Sequence, residues 1–539
     1  MRHYWAECVL AAIVFAACLL SSIWVFRVPI LQNPDETSHI DYAYSIYSAG
    51  RLLNVRTPPS EWNVHAQHEG RKDRQGFESY AFELMSHQYT LYLIGATEFQ
   101  RIRFHPEEKV PTDYGTRAYY ERLSANAPQT PARLAGLQPQ DNPWLITAYP
   151  FLYYAVVAIV QKLVSFGAGG PVWLFFAARL FSVLLLAGSL VLAYAVLREL
   201  RVTKTHALML TTVIGFFPQT IFIAASVQPD NLAMFLVLLC TYCALLLKRH
   251  DSNRRHELVL GVALGALLVT KYHFFLFTAF AVLATVISEH INRKRTFNKL
   301  LRQLPLLVLP SILLFAVQLW IGWGGRVTGW ILQPAKASLP TGIRNAFWDY
   351  YRGGAAFISW WGTFGWGDSY LFIWSPQFQV RVWQILTILT LFMILLVAAR
   401  VVDVMKSLIT LVRRGRWRMS LRLLFSNPLL TSHFPFLAFM ILLYALTDNS
   451  FAAQGRQWFP FTLSSFFMTL QFAPRVLAGK KRRILATALM VGMLIYCGVA
   501  AYFSLKSITE RYYPITSNVK PRAATEGRPY IYGKGINLD

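Results

Sequence analysis

Apolar runs recur along this chain, most of them separated by short basic loops, and they constrain its fold more than any other feature. They fall at about 6–26, 173–197, 207–226, 230–247, 258–270, 272–288, 305–323, 379–399, 434–447, 457–473 and 484–505. A helix needs about 20 such residues to cross the hydrocarbon of a bilayer. Only helices and closed barrels can satisfy their own backbone there. The runs predict an all-α polytopic membrane protein with about eleven transmembrane helices in a single integral membrane domain over 1–505. Charged residues are 15% of the chain, against about 25% in a soluble domain. That excludes a soluble enzyme and a disordered or fibrous chain.

Lys and Arg number 52 and Asp and Glu 27, for a net charge of +25. The basic residues stand in short loops such as Arg293-Lys294-Arg295, Arg413–Arg418 and Lys480–Arg483, as expected for loops held in the cytoplasm. The charge therefore sets topology and meets anionic lipid, and nucleic acid is not a partner. The N-terminal run is too long for a signal sequence and lacks a cleavage motif, so it reads as an uncleaved first span. Residues 29–148 form a long first external loop, 324–378 an aromatic external loop, and 506–539 an external tail. The segment 149–166 would place Arg198, Arg201 and Lys204 outside if it crossed, so it reads as re-entrant or juxtamembrane. Lys271 interrupts 258–288, which predicts two short helices meeting there near the external side. The five cysteines all fall in apolar segments and imply neither a disulfide framework nor a zinc site.

Residues with chemical potential gather at the external side. Asp35 and Glu36 follow the first span, in Asn33-Pro34-Asp35-Glu36. Adjacent carboxylates at a helix mouth serve as a general base, a metal ligand or an N-cap. His39 lies one turn after Asp35. Asp230, in Gln228-Pro229-Asp230-Asn231, stands between two spans, where an acid is costly and so a functional candidate. Lys271 and Arg456 are cations at the same boundary, suited to holding a phosphate or to snorkelling. Trp360, Trp361 and Trp366 crowd the aromatic loop, as side chains at headgroup level do. Carboxylates, cations and aromatic loops together suit transfer of a group from a lipid phosphate: base, leaving-group stabiliser and substrate wall. Phosphate-loop, zinc-protease and nucleophile-elbow motifs are absent.

At these residues the chain resembles a bacterial membrane-protein family classed only as a domain of unknown function, itself similar to the C-type (GT-C) glycosyltransferases. The matching elements are Pro34–His39 with Tyr42-Ala43-Tyr44 and Gly50, Tyr149–Tyr154, Arg179–Ser182, Ser226–Asp230, Thr270-Lys271, Ser359–Trp366 and Gln454–Pro460. The sequence departs from the family pattern at Tyr149, in place of a proline, and at Gln457-Trp458, in place of a tyrosine.

The resemblance implies a GT-C-like fold and an inverting glycosyltransferase. Its donor would be a polyprenyl-phosphate-linked sugar and its acceptor an envelope glycan, lipid or protein, outside the bacterial inner membrane. Asp35, with Glu36 beside it, would be the catalytic base or acceptor-orienting group. His39 and Asp230 would support it, and Lys271 and Arg456 would meet the donor phosphate. The resemblance leaves a divalent cation, Mg or Mn, open. Two other readings stand beside it: a transporter or flippase of a polyprenyl-linked glycan or other amphiphile, and an assembly partner whose loops only bind.

Overall fold

The apolar runs become helices in the computed structural model. It describes residues 4–33, 35–53, 108–125, 149–166, 170–249, 254–292, 297–322 and 479–514, together with isolated residues and short pieces elsewhere. In chain order the helices are α1 (Trp5–Arg27), α2 (Glu36–Ala49), α3 (Arg117–Ala125), α4 (Leu152–Ser165), α5 (Pro171–Glu199), α6 (Lys204–Phe216), α7 (Pro218–Ala224), α8 (Pro229–Arg249), α9 (Arg254–Leu268), α10 (Tyr272–Asn292), α11 (Phe297–Ile321) and α12 (Gly479–Tyr512). Five of the described helices, α1, α5, α8, α11 and α12, are long and apolar enough to cross a membrane, and a bent pair would make six. The expected runs at 379–399, 434–447 and 457–473 lie, but for single residues, outside the described residues.

That bent pair is the apolar run expected as one span at 207–226, and it is broken. The run 207–226 is two helices, α6 and α7, inclined at 60°. Pro218 has no N–H to continue the ladder, and it drives Phe217 out of the helical region to φ −63°, ψ 126°. Proline then opens the next helix, where its missing donor costs nothing. The all-α expectation is also qualified. Within the aromatic loop, β1 (Thr363–Phe364) and β2 (Ser369–Tyr370) form a two-residue antiparallel ladder, which rests against α7 and α12.

The helices share two common ends. Lys204 Nζ lies 3.7 Å from Glu7 Oε1, tying the start of α6 to the start of α1. At the other end Phe26 meets Phe176, so α1 and α5 are antiparallel. The same end receives the last turn of α12. Val110 N–H donates to Tyr512 O at 2.8 Å, and Lys109 Nζ to Glu510 O and Arg511 O, both at 2.8 Å. These are carbonyls that a helix C-terminus leaves without partners, and a cation there also meets the negative end of the macrodipole. α4 begins at this end too, where Leu152 N–H donates to Val269 O at the break between α9 and α10. It is too short to count among the spans, and its chain leads directly into α5 at the same end.

α8 is the central helix: 72% of its apolar window is buried, against 22% for α1 and 17% for α11. In α1 the exposed side chains include Phe15, Leu19 and Ile23, as expected of a helix facing lipid.

Candidate functional site

α1 ends at Arg27 because Pro29 follows, and its C-terminal carbonyls need donors. Arg179, from the third turn of α5, supplies them. Its Nη1 donates to Val25 O at 2.8 Å and Val28 O at 2.7 Å, and its Nη2 to Pro29 O at 3.0 Å. The other side of the guanidinium forms a bidentate pair with Glu36: Nε to Oε1 at 2.8 Å and Nη2 to Oε2 at 2.6 Å. Both side chains are wholly buried. Glu36 also accepts from Asn33 Nδ2 at 3.3 and 3.2 Å and from Val227 N–H at 3.1 Å. Its carboxylate is engaged on every side, which leaves it badly placed to take a substrate proton.

Asp35, its neighbour, differs in exposure and in backbone. It is partly exposed. Its backbone is left-handed, at φ 59°, ψ 3°, and its side chain makes no capping hydrogen bond to α2 although it stands at the N-cap. Left-handed backbone costs an L-residue of order 1–3 kcal/mol and gathers at functional sites. The capping role considered from sequence is thus not the one Asp35 fills.

His39, one turn on, is buried with Nδ1 2.8 Å from Tyr154 Oη. Its ring also meets Tyr149 edge-on, with centroids 5.0 Å apart. Tyr42 stacks on Tyr154 at 4.4 Å. Burial pushes the Tyr42 phenol well above its ordinary range, so it stays neutral.

Asp230 and Lys271, singled out separately in the sequence, are partners. Lys271 Nζ donates to Asp230 Oδ1 at 2.6 Å. Asp230 lies in the first turn of α8, where the helix dipole favours a carboxylate. Lys271 sits at the break between α9 and α10, over the Phe274 ring at 5.5 Å. Tyr153 joins the two halves of the site: its hydroxyl bonds Ser182 at 3.2 Å and lies within the fields of both Glu36 and Asp230. Asp35, Glu36, His39, Asp230 and Lys271 therefore stand at one end of the bundle. Arg456, Trp360, Trp361 and Trp366 lie outside the described residues. Among the described residues no three His, Cys, Asp or Glu side chains are grouped to hold a metal.

The residue that sequence reasoning undervalued is Arg179. It was noted as part of a motif and given no role, yet a lone arginine inside a long apolar run marks a paired, functional position.

No curated protein and no solved structure matches the chain. One family profile does, that of DUF2142, described as a predicted membrane protein; it matches residues 18–465 and so takes in every element of the described site except the C-terminal end of α12. With most of its length matched, and with the site built from that matched region, the chain belongs to the DUF2142 family of predicted membrane proteins.

Proposed function

We propose that this protein is a GT-C-like membrane glycosyltransferase of the bacterial cell envelope. It takes a sugar from a polyprenyl-phosphate donor and passes it to a glycan, lipid or protein acceptor on the outer side of the cytoplasmic membrane. The observation that carries this reading is Asp35: a partly exposed carboxylate in left-handed backbone, not used as a cap, at the same end of the bundle as the Asp230–Lys271 pair. In the transfer, Asp35 accepts the proton of the acceptor hydroxyl. The acceptor oxygen bonds the anomeric carbon as the carbon–oxygen bond to phosphate breaks, with inversion. Negative charge gathers on the departing polyprenyl phosphate, where Lys271 and Arg456 receive it. An ammonium has three donors, and the Asp230 bond fixes one of them toward α8. Glu36 and Asp230 are each bonded to a cation, so the described residues do not fit a divalent-metal ligand set.

α11 and α12 also bring their C-terminal ends to the site end of the bundle. α9 and α11 run parallel, since Glu257 meets Gln303 and Gly265 lies against Ser311. α11 therefore ends at the site, where Gln318 Oε1 accepts from Phe151 N–H at 3.1 Å. α12 begins at the opposite end and returns to it. Between Gly322 and Gly479 the sequence offers three further apolar runs, at 379–399, 434–447 and 457–473.

Complementation tests the activity. In a deletion strain profiled for envelope glycans by mass spectrometry, wild type restores the missing sugar. Asp35→Asn, present in the membrane at equal abundance, leaves it absent. Full restoration by Asp35→Asn removes the base assignment and turns the reading toward a transporter or a binding scaffold.

A further inference from the structure

We infer that Arg179 and Glu36 are a positioning pair: together they hold Asp35 in its left-handed conformation and fix its place relative to Asp230 and Lys271. The inference rests on the role of Asp35 proposed above.

The pair is costly in the way that positioning devices are. A buried ion pair adds little net stability over a well-packed apolar substitute, because desolvation offsets the attraction. Capping the end of α1 would not require it, since glycine motifs or water serve that purpose elsewhere. What the guanidinium adds is geometry. It is planar, and its five N–H donors form a rigid fork. Here the fork reaches Glu36 twice and the carbonyls of Val25, Val28 and Pro29. The end of α1 and the first residue of α2 are thereby held in one plane.

The chain between them must close a tight turn, and it does so with two non-glycine residues at positive φ, Leu31 at 63° and Asp35 at 59°. Such strain persists only where the surroundings over-determine it. The Glu36 carboxylate extends the frame to a third segment through Val227 N–H. Three residues later that segment carries Asp230, and Asp230 carries Lys271. One rigid unit thus relates the proton-accepting carboxylate to the cation that faces the donor phosphate. Neither Arg179 nor Glu36 needs to touch substrate.

Two variants separate a positioning role from a purely structural one. Arg179→Lys keeps the charge and loses the fork. Glu36→Gln keeps the shape but turns an NH₂ toward guanidinium donors or toward Val227 N–H. The full-length protein is kept in native membranes, with its five native cysteines replaced by serine or alanine. Two quantities are read: the glycan product in the deletion strain, and the rate at which Asp35→Cys reacts with a charged, membrane-impermeant thiol reagent.

At equal membrane abundance, each variant is expected to lower product about 100-fold, the scale of a misplaced catalytic group. Combining either with Asp35→Asn should lower it no further than Asp35→Asn alone. Each should also change the labelling rate of the Asp35→Cys thiol at least tenfold. If product and labelling rate both stay at wild-type values in Glu36→Gln and Arg179→Lys, the positioning role is wrong. If Arg179→Lys fails to accumulate, Glu36→Gln decides alone by the same two readings. If labelling shifts while Asp35→Asn still makes full product, the frame stands and the base assignment falls.

Discussion

Asp35 at φ 59°, ψ 3° makes a prediction that separates stability from function at a single residue. Glycine reaches left-handed backbone without the steric penalty that a Cβ brings. Asp35→Gly should therefore leave the fold as stable as wild type or up to about 1 kcal/mol more stable, while glycan transfer is lost. Thermal unfolding of the detergent-purified protein checks the first half, and complementation the second. A melting temperature several degrees below wild type would mean that the Asp35 side chain holds the fold, and its catalytic reading would weaken. Asp35 and Glu36 were both visible as candidates from the sequence, but their division of labour was not. Adjacent residues at a helix start differ only in where the backbone points them, and that direction comes from Arg179, 143 positions away from Glu36. The pairing of Asp230 with Lys271, 41 positions apart, was hidden for the same reason.

Among the described helices, α9 packs tightly against α11. A Cβ at Gly261 would lie 2.0 Å from Leu306 O, and one at Gly265 would lie 2.9 Å from Ser311 Cα. Pro310 explains why the oxygen is there. It has no N–H to give to the carbonyl four residues earlier, so Leu306 O is released from its own helix and turned toward α9. Small residues spaced four apart let backbones meet in this way within membranes. Below them, Gln303 Nε2 donates to the buried Glu257 Oε1 at 2.6 Å and fixes the register. Gly261→Ala pushes against backbone that cannot swing aside, so it should cost at least about 1–3 kcal/mol. Gly492→Ala, in α12 where none of the described residues lies within 4 Å, should be neutral or slightly stabilising. Melting of the two purified variants side by side tests this, and equal midpoints would contradict the close contact. The Gly261–Gly265 spacing stood in the sequence within an apolar run and was readable. Its partner surface was not, because it depends on where Pro310 falls in another helix. The break at Pro218 was likewise missed, since the apolar run continues unchanged across it.

For the whole molecule, the arrangement of ends is a claim about sides of the membrane. Tyr513 Oη donates to Arg27 O at 3.0 Å and Ile30 N–H to Tyr114 Oη at 3.2 Å, so the end of α1, the segment 108–125 and the end of α12 belong together. The Glu7–Lys204 pair marks the other end, along with Arg198 and Arg201. Hydropathy and the clustering of positive charge gave this alternation from sequence for the helices described, because both signals are local. They could not show that residues 108–110, ahead of α3, clamp the end of α12, which depends on contacts across some 400 positions. If the basic end faces the cytoplasm, then in intact cells a membrane-impermeant thiol reagent should label Asp113→Cys, near the exposed Arg122, and spare Arg201→Cys until the membrane is permeabilised. A reversed pattern would place Asp35 and Lys271 on the cytoplasmic face. Lipid-linked sugars presented on the outer leaflet could not then reach them, and the donor would have to be sought among substrates of the cytoplasm. Labelling of both positions in intact cells would break the common-end arrangement itself, because no helix bundle joined by the Glu7–Lys204 and Tyr513–Arg27 contacts puts those residues on one side.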